Sequence, residues 1–447
     1  MANEWKIETE PLFPGKFEVV VPGISPDGNR VAFVRLTDPD TIHETRDLGC
    51  LTVLDLKTKA VLHDVGKNLV AVNYRERGRG ANELVFVWSP DSRYITFHQD
   101  RPQWEHHGAR WSLFRLDTET GTVDPFPFDP EEFRAQAILP SSSGGFLAIH
   151  SRQRWKPYTR KILWKTTHHI VLGDQLVVCG PLGEDPVNVI DWPKERYKHE
   201  ESLGDFRWSP AADQLAYIVR FKDGRFREEC LLFLYDVRTK TSRELFRTSE
   251  HLDHFSFSGD GRALWFHTRD RRIENPRKRN SLYSLDIESG ESTLLLEHRE
   301  FFYPLLPRTS PNGVSPVLME MQLESGGRGI ALYHPEDHSV QPVVKTGYSL
   351  YPLWSPAGDS FLYLRTKPDS KPFWTWPTEP FLQRIGGGSP SRLLPVDATA
   401  KLVNCRPSYS PSGREIVFVA KDEAEDSSER FAGLWLSRIE PESGGDS

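Results

Sequence analysis

The chain has 447 residues, enough for about three average domains, but its composition points instead to one long all-β fold. Gly (32) and Pro (34) are abundant and aromatics reach 11%, while no stretch is long, Ala-rich and helical in period. A 38% hydrophobic and 27% charged balance excludes wholesale disorder, and the net charge of −7 excludes a globally basic nucleic-acid binder.

The chain opens Met1-Ala-Asn-Glu-Trp-Lys-Ile-Glu8, with no basic or apolar signal region. No apolar run approaches the ~18 residues of a membrane span. Cys50, Cys179, Cys230 and Cys405 lie far apart and form no CxxC pair. Buried thiols are therefore expected rather than two long-range disulfides, and with them a cytoplasmic location.

After a first extended segment at residues 5–12, one hairpin signature recurs. Ile24-Ser-Pro-Asp-Gly28 precedes an apolar run at 30–35. Trp88-Ser-Pro-Asp-Ser92 precedes 94–98, and Trp208-Ser-Pro-Ala-Ala212 precedes 214–219. Phe257-Ser-Gly-Asp-Gly261, Trp354-Ser-Pro-Ala-Gly358 and Tyr409-Ser-Pro-Ser-Gly413 precede 263–267, 360–364 and 415–419. Pro140-Ser-Ser-Ser-Gly144 and Thr309-Ser-Pro-Asn-Gly313 are weaker copies. Ser accepts local hydrogen bonds, Pro presets φ, and Gly takes the positive φ that follows, so each copy is a tight turn between strands A and B. The runs that follow are strands.

A second signature follows about 27 residues later. It is an apolar strand ending in an Asp turn: Leu54-Asp-Leu-Lys-Thr-Lys59, Leu116-Asp-Thr-Glu-Thr-Gly121, Tyr235-Asp-Val-Arg-Thr-Lys240 and Leu285-Asp-Ile-Glu-Ser-Gly290. In the third unit the corresponding turn is assigned to Gly173-Asp174, and in the sixth to the end of Ala331-Leu-Tyr-His-Pro-Glu-Asp337. Each unit then holds strands A to D, the blade of a β-propeller. A repeat of about 55 residues divides the chain into eight blades, with seven as the alternative. The last unit lacks a strand D, so residues 5–12 are expected to complete it and close the ring. Residues 1–440 then form a single propeller and 441–447 a tail.

The Trp-Ser-Pro-Asp/Ala-Gly and Asp-x-x-Ser/Thr-Gly/Lys turns resemble the Asp-Gly repeats of the TolB translocation protein and of the dipeptidyl peptidase IV family propellers. The resemblance spans residues 18 to 440 and implies fold more than function. Asp191-Trp192 with Glu195, Glu200 and Glu201 is similar to the peptidase blade that holds a peptide amino terminus between paired glutamates. Here Pro193-Lys-Glu-Arg196 stands at the matching place, so that site is not carried over. No Gly-x-Ser-x-Gly elbow of the peptidase domain is present, which implies a stand-alone propeller.

In a propeller the A–B and C–D turns share one face and the longer B–C loops share the other. Those loops carry His98, Asp100, Arg101 and Trp104 in blade 2, and Arg152, Arg154 and Trp155 in blade 3. They carry Arg220 in blade 4, and His267, Arg269 and Arg271 in blade 5, with His254 in the crossover before that blade. Blade 8 is acidic over residues 421–426. The basic arc suggests a funnel in which Arg forks hold carboxylate or phosphate and the Trp side chains form walls. Solvated basic loops are the alternative.

No cofactor is expected. A divalent metal on His98, His150, His254 and His267 is the alternative, and it would resemble oligogalacturonate lyases, whose clustered His/Gln motif is not matched. No Ser-His-Asp set, phosphate loop or HExxH is identifiable; Glu320, Glu300 and Asp100 are candidate acid/base groups. The expected function is binding of a peptide, protein or anionic ligand, including an oligosaccharide, on the basic loop face. The alternative is a lyase or hydrolase acting on an anionic substrate in the axial funnel. Nucleic acid and membrane partners are not expected.

Overall fold

The computed structural model describes residues 5–13, 19–36, 47–72, 86–100, 111–128, 134–154, 158–162, 165–169, 172–190, 199–223, 228–270, 272–273, 280–297, 308–311, 316–323, 327–366, 377–394, 398–401, 407–422 and 433–441. Among these residues every regular element is a β-strand. The chain forms two compact units, Gly80–His254 and Met1–Arg79 with Phe255–Ser447.

The unit Gly80–His254 holds three four-stranded antiparallel sheets. The first runs through Phe86–Trp88, Tyr94–Asp100, Trp111–Asp117 and Val123–Pro125. The second runs through Arg134–Pro140, Leu147–Arg154, Leu172–Cys179 and Val187–Asn188, with a separate hairpin of Tyr158–Ile162 and Lys165–His169. The third runs through His199–Trp208, Gln214–Asp223, Glu228–Asp236 and Thr241–Thr248. Below they are the second, third and fourth sheets, in chain order.

The other unit holds the first sheet, Val19–Ile24, Arg30–Leu36, Asp47–Asp55 and Val61–Val72. It also holds the fifth, Ala263–Arg269, Asn280–Asp286 and Ser292–Leu296, whose first strand His251–Phe257 spans the boundary. Its remaining strands join in one 13-stranded sheet. Within it, Trp5–Phe13 pairs antiparallel with Gly433–Pro441, from Trp5 opposite Pro441 to Phe13 opposite Leu434.

Alternation of apolar residues explains the packing, because each strand sends side chains to both faces of its sheet. Val87, Ile138, Ile149 and Val177 pack the second sheet on the third. Ala148, Leu176, Phe206, Trp208 and Tyr217 pack the third on the fourth. In the other unit, Leu12, Phe33, Leu54, Val417 and Leu436 form one core that includes the N-terminal strand.

The serine of the turn motif acts as read from sequence. Ser25 Oγ accepts from Arg30 N at 3.0 Å and donates to Asp27, while Gly28 N donates to Ser25 O at 2.9 Å with φ +77°. Ser89, Ser258, Ser355 and Ser410 close their turns through the same backbone bond to the residue three positions on. The proline and glycine have a further role that the single motif does not reveal. A Cβ on Gly144 would come within 3.0 Å of the Pro90 ring, and one on Gly413 within 3.3 Å of Pro356. The proline of one turn thus stacks on the glycine of the next. Gly144→Ala combines a positive φ of 75° with this contact. It is expected to destabilise by about 1–2 kcal/mol in urea unfolding; a variant as stable as wild type would contradict the stacking.

Three assignments are corrected. Gly173-Asp174 is not a turn but part of the strand Leu172–Cys179, whose partner Val187–Asn188 follows a turn at 180–186. The local Gly-Asp signal is overridden because the Asp174 carboxylate accepts from Leu203 N of the fourth sheet at 3.1 Å. His254 belongs to a strand, not a crossover. The strand Gln214–Asp223 also runs past Arg220, so Arg220 is a sheet residue.

Candidate functional site

A buried carboxylate with an arginine and a histidine beside it lies on the first strand of the fourth sheet, against the first half of His251–Phe257. Its origin is a bulge. The register of His199–Trp208 slips between Leu203 and Phe206, so Gly204 and Asp205 together face one residue of the next strand. A Cβ on Gly204 would meet Ile218 at 3.0 Å, so glycine is what lets the strand bend there. Beyond the bulge, Phe206 and Trp208 enter the core shared with the third sheet. Alternation puts Asp205 and Arg207 on the opposite face.

Asp205 is 1% exposed. One carboxylate oxygen accepts from Phe206 N at 3.0 Å. The other accepts from Arg207 Nε at 3.1 Å and lies 3.4 Å from His254 Nδ1. Burial raises the carboxyl pKa, but the Arg207 charge and the His254 contact outweigh it and hold the group below the ordinary carboxylate value. Asp205 is thus ionised and fixes the orientation of both partners. Arg207 and His254 remain 24% and 16% exposed, so each reaches solvent. Arg207 uses only Nε in this pair; its buried Nη2 has no hydrogen-bond partner among the described residues. Arg220 lies nearby, its Nε and Nη2 donating to the Leu252 carbonyl at 3.2 and 3.1 Å. A related pair ties the third sheet to the fourth, with His150 Nε2 3.3 Å from Asp174 and its ring edge-on to Phe206.

The residues expected to line the site are distributed as follows. Arg220 and His254 join the Asp205 cluster. His98 and His267 are 1% and 5% exposed and sit inside their sheets. Burial pushes the His98 pKa down to about 4, so it is neutral at physiological pH, and a His-lined mouth does not fit these two side chains. Arg269 ends the strand Ala263–Arg269. Asp100, Arg152 and Arg154 lie on strands of the second and third sheets, where only their backbone is described. Arg101, Trp104, Trp155 and Arg271 lie outside the described residues, as does Glu300. Glu320 is buried and accepts from Tyr351 N at 2.6 Å, a tie between strands. Among the described residues no three His, Cys, Asp or Glu side chains are grouped to hold a metal ion.

Cys50, Cys179 and Cys230 are buried free thiols, and burial followed by the Glu184 charge pushes Cys179 up to about 12. It is not a nucleophile at neutral pH. Sequence reasoning missed Asp205 and Arg207. Their signal was the alternation of Asp205-Phe-Arg-Trp208 directly after Gly204.

No family model and no curated protein matches the chain by sequence. Solved structures do. The chain is similar to an oligogalacturonate lyase in complex with manganese, with a TM-score of 0.51, 14% identity, and 98% of this chain and 96% of the lyase chain covered. It is also similar to Porphyromonas gingivalis dipeptidyl peptidase 4, with a TM-score of 0.52 and 11% identity over 91% of this chain. That match spans 58% of the peptidase chain. The β-propeller domain of the trilobed protease from Pyrococcus furiosus matches at a TM-score of 0.49 and 13% identity, over 86% of this chain and 97% of that domain. At such identities the likeness is one of fold. The fold is a β-propeller, and the resemblance to the dipeptidyl peptidase IV type carried by the turn motifs holds at that level.

Proposed function

We propose that this chain is an eight-bladed propeller, its last blade completed by Trp5–Phe13, that binds an anionic ligand beside Arg207. Asp205 grips only one edge of the Arg207 guanidinium, and the side chain still reaches solvent. That is the observation that carries the reading. Asp205 takes only Nε, so a carboxylate or phosphate oxygen reaching into the cluster would satisfy the buried Nη2 that is left without a partner among the described residues. The buried thiols support a reducing compartment, consistent with the cytoplasm.

A second reading, an enzyme on an anionic substrate, is favoured by one observation. The Asp205–His254 pair is the arrangement that orients a histidine as a general base. The likeness in fold to a lyase that, by its name, acts on oligogalacturonate makes that polyanion a sensible probe.

The test is calorimetric titration with phosphate, citrate and oligogalacturonate. Arg207→Lys keeps the charge beside Asp205 and removes the fork. It is expected to weaken binding about tenfold, and wild-type affinity should fall with added salt. Absence of binding by every probe, or unchanged affinity in the variant, would refute the proposal. Release of an unsaturated product that is lost in His254→Ala would favour the enzyme.

A further inference from the structure

A second site is indicated at the turn end of the third and fourth sheets, away from the Asp205 cluster. A groove of about 610 Å³ lies there, within the ~300–1,000 Å³ typical of ligand sites. Phe146, Val178, Val187 and Val237 give it an apolar lining. Four carboxylates border it, Glu184, Asp185, Asp213 and Asp236, against two cations, Arg238 and Lys240.

The groove coincides with departures from the repeat. Position 142 is Ser where six of the other seven copies have Pro, and position 212 is Ala where six of the other seven have Gly. The proline-on-glycine contact is thereby replaced by a hydrogen bond from Ser142 Oγ to the Ser209 carbonyl at 2.9 Å. The turn at 180–186 is also longer than the Asp turns of the other units. It holds Asp185 at φ +48° and leaves Leu182 48% exposed. Asp185 has no hydrogen-bond partner among the described residues, and Asp213 accepts from Ser143 Oγ at 2.6 Å through one oxygen only. Asp236, by contrast, is engaged by Thr239 N and Gln214.

We infer that this groove docks an extended peptide segment of a partner protein, placing an apolar side chain on Phe146 and Val237 and a lysine or arginine against Asp185 and Asp213. Charge complementarity selects this occupant: the rim carries two more carboxylates than cations, and Asp185, Asp213 and Glu184 each keep a carboxylate oxygen without a hydrogen-bond partner among the described residues. The apolar lining provides the burial that a bare acidic rim would not.

The probe is a short fluorescein-labelled peptide of alternating phenylalanine and lysine, followed by anisotropy with the full chain. Saturable binding is expected, with little binding of the phenylalanine–glutamate counterpart. The double variant Asp185→Asn/Asp213→Asn is expected to bind about tenfold more weakly; asparagine tolerates the left-handed backbone at 185, so folding is retained. The matched neutralisation Glu288→Gln/Glu291→Gln in the other unit should leave affinity unchanged. Equal weakening by both double variants, no saturable binding by wild type, or equal affinity for free hexylamine would each overturn the proposal.

Discussion

Deleting residues 1–13 is expected to lower the melting temperature by roughly 10 °C. The strand Trp5–Phe13 pairs along its length with Gly433–Pro441, and its Leu12 is 2% exposed in the core with Val417 and Leu436. Thr9 Oγ1 donates to the Leu393 carbonyl at 2.9 Å and is 2.7 Å from Ser437 Oγ. Glu10 bridges Lys59 and Arg438. The Arg384 guanidinium lies 4.3 Å from the Trp5 ring centre. Loss of the Leu12 contact alone removes about 2–5 kcal/mol. The deletion also uncovers Leu434 and Leu436 and leaves Gly433–Pro441 as an open edge prone to self-association. Calorimetry of the truncated chain checks this, and a synthetic peptide of residues 1–13 should restore part of the loss. A melt unchanged by the deletion would show that the sheet containing Gly433–Pro441 does not depend on this strand.

Asp205→Asn should lower stability by about 3 kcal/mol in urea unfolding at neutral pH. Asparagine retains an oxygen for Phe206 N but removes the charge that holds Arg207 and His254. The wild-type pH profile follows from the same carboxyl. Its folded pKa lies below the unfolded value of about 4, so its stabilisation is complete above pH ~4 and is lost as pH falls through the folded pKa. Asp205→Asn should therefore flatten the acid limb below pH ~4. An equally steep limb in the variant would mean that other carboxylates govern acid unfolding.

The strands were legible because turn and alternation agree over short distances. Ser25, Pro26 and Gly28 announce their turn, and Val31 and Phe33 alternate into one core. The misassigned Gly173-Asp174 shows the limit. A dipeptide that favours a turn was held in a strand by Leu203, 29 residues away, and nothing local records that bond. The site was less legible for the same reason. Arg220 and His254 were found as polar residues near strand ends, but the carboxylate that organises His254 lies 49 residues upstream. The burial of His98 was not legible, because a histidine closing a strand looks alike whether solvent or a neighbouring strand covers it. The groove was not legible because its lining comes from short turns whose small departures matter only in pairs.

The stacking of Pro90 on Gly144, and of Pro356 on Gly413, has a consequence for how such a chain can grow. Each contact runs one way along the chain, from the proline of one turn to the glycine of the next. A tandem copy of one unit brings both halves with it: its glycine receives the preceding proline, and its own proline meets the following glycine. Duplication therefore needs no new surface at these turns, whereas exchange of a single turn residue disturbs two units at once.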